Sequence, residues 1–234
     1  MIPEPWDIES RRNAMQTAQW LLETGAVRYD PQNPCRHGSG LVSPLHVEGR
    51  LLLSHPGTRG GVIRLALRMI EEEVTDARLD AVAAAEGAGV PFATLIADRL
   101  GLPLVFVRKE GREPCSYKDR LEGPVEPGWN LLLVEQLATD GHRKARFAEP
   151  LTQAGCRVAH AFVLFQYGIF DAIHDHLAKL GITLHALCTW WDILDAAAAG
   201  HFLDARAQAE IEAFLADPRR WTADHTTRSA SNAA

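Results

Sequence analysis

The chain has 234 residues, 47% of them apolar, which is enough to bury one full core at the upper end of single-domain size. A formal net charge of -6 argues against the basic footprint of a nucleic-acid binder, and no apolar run is long enough for a membrane span. Met1-Ile2-Pro3-Glu4-Pro5-Trp6-Asp7 lacks the basic start and apolar centre of a secretory signal, so a cytoplasmic location is expected.

Residues 13–24 place Met15, Ala18, Leu21 and Leu22 at helical spacing and meet Gly25, a C-cap residue, which predicts a first amphipathic helix. Residues 29–49 are rich in Pro, Gly, Ser and His and predict an extended, turn-rich stretch suited to lining a ligand site. A helix is predicted over 56–74 and a strand over 79–85. The alternation then continues through the loop Glu86-Gly87-Ala88-Gly89, a helix over 91–100, a strand over 104–107 and a polar loop. A strand over 131–134, a helix from near Lys144 to Ala154 and a strand over 157–165 follow. Strands separated by helices predict right-handed crossovers and an α/β fold with a mainly parallel central sheet and helices on both faces. Ligands of such a sheet sit beyond the carboxyl ends of the strands, so the loops after Ala85, Val107 and Val134 should carry the chemistry. The last quarter reads as helices over 169–180, 190–199 and 205–215, the last stopped at Asp217-Pro218. A single domain over residues 1–222 and a disordered polar tail over 223–234 are expected.

The cysteines Cys35, Cys115, Cys156 and Cys188 show no CxxC or zinc-ligand spacing, and the ten histidines form no HExxH motif. Incidental thiols and no dedicated metal cluster are expected. The strongest chemical signal is Leu131-Leu132-Leu133-Val134-Glu135-Gln136-Leu137-Ala138-Thr139-Asp140-Gly141-His142. An apolar strand delivers a carboxylate, and a short Thr/Gly turn then opens a helix. Backbone N–H groups and the Thr139 hydroxyl in that turn suit a phosphate, and Glu135 suits sugar hydroxyls. Taken alone, the segment also fits an ordinary strand-to-helix turn.

This segment resembles the 5-phosphoribosyl-1-pyrophosphate (PRPP) loop of the type I phosphoribosyltransferases. Flanking pieces are similar to the orotate branch in the order in which that branch has them: Leu21-Leu22-Glu23-Thr24-Gly25-Ala26-Val27, Ser39-Gly40-Leu41-Val42-Ser43-Pro44, Gly89-Val90-Pro91-Phe92-Ala93, Val107-Arg108-Lys109 and Leu121-Glu122-Gly123. Tyr167-Gly168-Ile169-Phe170, Leu187-Cys188-Thr189-Trp190-Trp191-Asp192 and Asp217-Pro218 resemble a bacterial sub-branch of the same enzymes.

The resemblance implies a type I phosphoribosyltransferase fold with an N-terminal hood and a C-terminal helical extension. It implies transfer of phosphoribosyl from PRPP to orotate, Mg²⁺ held mainly by PRPP, and a homodimer whose mobile loop works across the interface. Glu135 and Gln136 would face the ribose, and Ala138, Thr139, Asp140, Gly141 and His142 the 5-phosphate. Glu86, Gly87, Ala88 and Gly89 would lie beside the pyrophosphate, and Arg108 and Lys109 would begin the mobile loop over it. Ser39, Gly40, Leu45 and His46 would lie near the base, and Lys109, Arg112 and Glu135 would be the catalytic residues.

Three places depart from the family pattern. Gln136 stands where a second acidic residue is usual, His142 and Arg143 replace small residues, and Arg112, Pro114 and Cys115 replace a Lys, a His or aromatic residue and a Gly. Two further readings therefore stand beside the first: a paralogue that binds a nucleotide or a protein partner without catalysis, and a phosphoribosyltransferase for another base. If Gln136 faces the ribose, Gln136→Asp should raise PRPP affinity or turnover by roughly 10-fold.

Overall fold

The computed structural model describes residues 8–36, 41–75, 78–110, 116–139, 141–169 and 172–223. The chain opens with α1 (Ile8–Glu23), which begins earlier than the apolar spacing suggests and buries Ala14, Thr17, Ala18 and Leu21 along one face. Gly25 takes a left-handed φ of 68° and turns the chain into β1 (Val27–Tyr29). β1 pairs antiparallel with β4 (Leu45–Val47), and β2 (Cys35–Arg36) with β3 (Val42–Ser43). These two ladders form the hood. A 3₁₀ segment, Gly49–Ser54, leads to α2 (Pro56–Glu73), where proline at the first turn needs no N–H partner.

Next come β5 (Ala81–Ala85), α3 (Gly89–Leu100), β6 (Leu104–Val107), β7 (Leu121–Glu122), β8 (Asn130–Ala138), α4 (His142–Gln153), β9 (Arg157–Gln166), α5 (Ala172–Ala178), β10 (Thr183–Thr189), α6 (Trp190–Gly200) and α7 (Ala205–Ala216). Six strands form the central sheet in the order β10-β9-β8-β5-β6-β7, parallel throughout except for the edge strand β7. Alternate residues of each strand face opposite sides. Val82, Ala84, Leu132 and Val134 pack with residues of α1, α2, α3 and α6, and Ala81, Ala83, Leu131 and Leu133 pack with residues of α4 and α5. Both faces of the sheet are thus covered, which is why its central strands read as unbroken apolar runs.

Two sequence expectations change. β8 runs to Ala138 instead of stopping at Val134, so Glu135 and Gln136 lie within the sheet, on opposite faces, and the loop that follows begins at Thr139. β10 falls in a quarter read as helical. Its sequence, Thr-Leu-His-Ala-Leu-Cys-Thr, has no β-branched residue between its ends, so local propensity is weak and pairing with β9 decides its state. The helix read over 169–180 contracts to α5 accordingly. Asp217-Pro218 ends α7, but helical backbone resumes over 218–223, with the Arg220 N–H donating to Asp217 Oδ1 at 3.0 Å. Of the tail read as disordered, residue 223 is helical and 224–234 lie outside the described residues.

Buried histidines are satisfied away from the carboxyl ends of the strands. His185 Nδ1 lies 2.6 Å from Glu73 Oε2, and His185 Nε2 lies 3.0 Å from His160 Nδ1. Among the described residues no helix is long and apolar enough to cross a membrane.

Gly123 has a structural reason for its place in the Leu121-Glu122-Gly123 motif. Its φ is 121°, and a Cβ there would sit 2.8 Å from the Leu104 carbonyl oxygen. Gly123→Ala should lower stability by about 2 kcal/mol through backbone strain and overpacking. Urea denaturation of the two proteins measures the difference.

Candidate active site

Glu135 is only 4% exposed, near the carboxyl end of β8. Its Oε1 has no hydrogen-bond partner among the described residues, although Lys144 Nζ stands 3.5 Å away. Arg143 Nη2 lies 3.8 Å from the other carboxylate oxygen. Lys144 reaches in from the first turn of α4, buried like Glu135, and donates to the Leu137 carbonyl at 3.0 Å. A carboxylate at this depth is tolerated because these cations compensate its charge, and one oxygen keeps its capacity to accept a proton donor.

The turn after β8 opens α4 toward the same place. Gly141 is the N-cap with φ 84°, a left-handed conformation that glycine adopts without strain. A Cβ at Gly141 would also press on Ile173 Cγ1 at 3.2 Å. The Lys144 N–H is the first to bond within the helix, to the Gly141 carbonyl, so the N–H groups of His142 and Arg143 precede the first intrahelical donor. With the helix dipole behind them, these groups and half-buried Thr139 make an anion cradle. Asp140 and the side chain of His142 lie outside the described residues.

A second loop faces this cradle from β5. Gly89 begins α3 against β8, where a Cβ would lie 2.7 Å from the Val134 carbonyl oxygen and 2.9 Å from Glu135 Cα, so only glycine allows this approach. Gly87 has φ 107°, and Lys109 Nζ would sit 3.9 Å from a Cβ placed on it. Glu86 accepts the Lys109 N–H at 2.6 Å, and its own N–H donates to the Val107 carbonyl at 2.9 Å. The glycine loop and the root of the basic loop are therefore hydrogen-bonded to each other, with the Lys109 ammonium near Gly87. Arg108 is held differently. Its Nε pairs with Glu122 at 2.7 Å, and its N–H donates to the Arg120 carbonyl, so Arg108 is engaged at the β6–β7 edge. Arg112, Pro114 and Cys115 lie outside the described residues.

Several side chains expected at the ligand instead point into the core. Gln136 is 5% exposed on the hood face of β8, and its Nε2 donates to the Val47 carbonyl at 3.4 Å. A Cβ at Gly49 would meet that amide at 2.9 Å and Leu164 Cδ2 at 2.6 Å, so the glycine makes room for the strut. Leu45 has no exposed surface, and its carbonyl accepts the Ser43 hydroxyl at 2.9 Å. Ala138 is equally buried, and its carbonyl accepts the Tyr167 N–H. For Leu45 and Ala138, only backbone can face a ligand. His46 is half-buried in β4 opposite Arg28, whereas Ser39 and Gly40 lie outside the described residues. Lys144 was not anticipated. Its signal was present in the sequence, because Lys144, Phe147, Ala148 and Leu151 share the inward face of α4, and a lysine on an apolar stripe needs a buried counter-charge.

No protein-family model matches the chain. Over 211 residues it is 43% identical to orotate phosphoribosyltransferase of Cereibacter sphaeroides, with 89% of each chain covered. The chain belongs to the orotate phosphoribosyltransferase family. A second family member, from Dinoroseobacter shibae, is 38% identical over 96% of this chain and 99% of its own. The orotate phosphoribosyltransferase structure from Aeropyrum pernix has a TM-score of 0.66 at 27% identity, covering 78% of this chain and 99% of that one. The fold is thus that of the type I phosphoribosyltransferases. In this chain Glu135 is a buried carboxylate on the cradle side of β8. Its neighbour Gln136 serves the hood.

Proposed function

We propose that the protein transfers the phosphoribosyl group of PRPP to orotate, forming orotidine 5-monophosphate and releasing pyrophosphate. The observation that carries this reading is Glu135, a charge-compensated carboxylate with one oxygen that accepts no hydrogen bond, beside an open helix N-terminus. Such a pair of features suits a sugar phosphate: the hydroxyls donate to the carboxylate and the 5-phosphate takes the N–H groups of α4. Thr139 and Gly141 shape the phosphate end. Glu86, Gly87, Ala88 and Gly89 line the pyrophosphate side, where Lys109 neutralises leaving-group charge, together with Arg112 of the basic loop. His46 and the backbone of the hood face the acceptor base. Transfer through an oxocarbenium-like centre needs two positioned reactants and a stabilised leaving group, and no covalent nucleophile.

Mg²⁺ fits this donor set. Glu135 offers an oxygen that accepts no hydrogen bond, and among the described residues no group of three or more His, Cys, Asp or Glu side chains could hold a metal ion. An ion carried mainly by PRPP oxygens and water needs only one or two protein carboxylates, and when bound it offsets the charge of the pyrophosphate. A symmetric homodimer, tested by light scattering, completes the reading.

The experiment is a coupled assay of pyrophosphate release with PRPP, Mg²⁺ and one base at a time. Orotate should support release, while adenine and uracil should not. Release with another base alone would assign a different acceptor. No release with any base, despite a thermal shift with nucleotides, would support the non-catalytic reading.

A further inference from the structure

The hood that faces the acceptor is built from very short ladders: three residue pairs between β1 and β4, and two between β2 and β3. Isolated two-stranded ladders are marginal in water, so something else must fix their position. Besides the Gln136 amide on Val47 and the burial of Leu45 and Val47 in the core, that support comes from the far end of the chain. The Thr222 hydroxyl accepts the Val42 N–H at 3.2 Å and lies 3.1 Å from the Val42 carbonyl oxygen and 2.8 Å from that of Pro218. Both backbone groups of Val42 therefore meet one side chain 180 residues away, much as a neighbouring strand would meet them.

A second tether holds the other ladder. Tyr29, paired with Leu45 across β1 and β4, donates its hydroxyl to Glu210 of α7, whose carboxylate is fixed by Arg206 Nε at 2.9 Å. Burial and then the Glu210 bond push the Tyr29 hydroxyl up from its ordinary value, so it stays a donor. The final helical turn is joined to α7 by Trp221, packed edge-on against buried Phe214 with ring centroids 5.5 Å apart. The tethers thus grip β3, which directly precedes the strand that carries His46, and β1, which pairs with that strand.

We propose that Thr222 and Tyr29 are positioning residues for the acceptor base: through them the C-terminal extension sets the place of the hood, and so the affinity for orotate, without touching PRPP. The inference rests on the reading that the hood faces the base. On the PRPP side, Glu135, the Thr139 turn and α4 make none of these contacts.

The test uses the full chain with orotate and PRPP varied independently. Turnover of orotate by the wild type is checked first, and its absence would overturn the proposed function itself. Thr222→Val should then raise the KM for orotate roughly 3- to 10-fold, the range of one hydrogen bond, and leave the KM for PRPP unchanged. Thr222→Ser should restore most of the loss, and Tyr29→Phe should repeat the orotate-selective rise. An unchanged orotate KM in an active wild-type background would overturn the inference. So would an equal rise in both KM values with a falling kcat, which marks general damage to the fold. If Thr222→Val does not fold, Tyr29→Phe decides alone, because it removes one hydroxyl and keeps the ring.

Discussion

Glu135→Gln should be both less stable and nearly inactive, and the two losses should separate on a second substitution. Glutamine removes the anion beside Lys144, whose side chain is 2% exposed and 3.5 Å from Glu135. Removing one partner of a buried ion pair costs about 3 kcal/mol or more. In a domain of this size that is a fall in Tm of roughly 6–12 °C. The lost charge also weakens hydrogen bonds to the ribose by about 1.5–3 kcal/mol, which is roughly 10- to 150-fold in kcat/KM for PRPP. Adding Lys144→Met to Glu135→Gln should recover much of the Tm, because a long apolar chain then fills the inward face of α4, while activity stays lost. Calorimetry and steady-state kinetics on the four proteins of this cycle check both parts. Full activity in Glu135→Gln would remove Glu135 from the reaction.

Gln136→Asp should destabilise the protein without improving PRPP binding, the reverse of what restoring an acidic pair suggests. The position faces the hood, 5% exposed, with its amide on the Val47 carbonyl and Leu164 and Gly49 close by. A carboxylate there has an acceptor for a neighbour in place of a donor, and its charge is not compensated. Burying such a group costs several kcal/mol, so a Tm lower by roughly 6 °C or more is expected at neutral pH. PRPP affinity by titration calorimetry should not rise. Tighter PRPP binding in this variant would show that Gln136 swings to the ribose.

Much of the architecture could be read locally. The run from Leu131 to Val134, the Thr/Gly turn and the glycines at 87 and 89 each announce themselves through short-range chemistry: apolar runs for buried strands, left-handed glycines for turns, small residues where backbones meet. The order of strands and helices followed, and with it the parallel sheet and the position of the cradle. The roles of side chains near the cradle were much less legible. Glu135 and Gln136 are adjacent and chemically similar, and only the extension of β8 to Ala138, in register with β9, turns one toward α4 and the other toward the hood. Leu45 reads as part of a ligand-lining loop, yet it is core, because β4 pairs with β1 and turns that residue inward.

By itself, then, the sequence determined the α/β alternation, which depends on periodicity and turn residues within a few positions of one another, and its ordered motifs carried the resemblance to the family. Only the tertiary structure decided that Lys144 compensates Glu135, that Arg108 is engaged by Glu122, that residues 183–189 join the sheet, and that Thr222 grips Val42. Each of these depends on a partner that folding brings close. The energies involved, a buried charge, an edge strand's pairing and an unsatisfied backbone group, exist only once both partners leave water together.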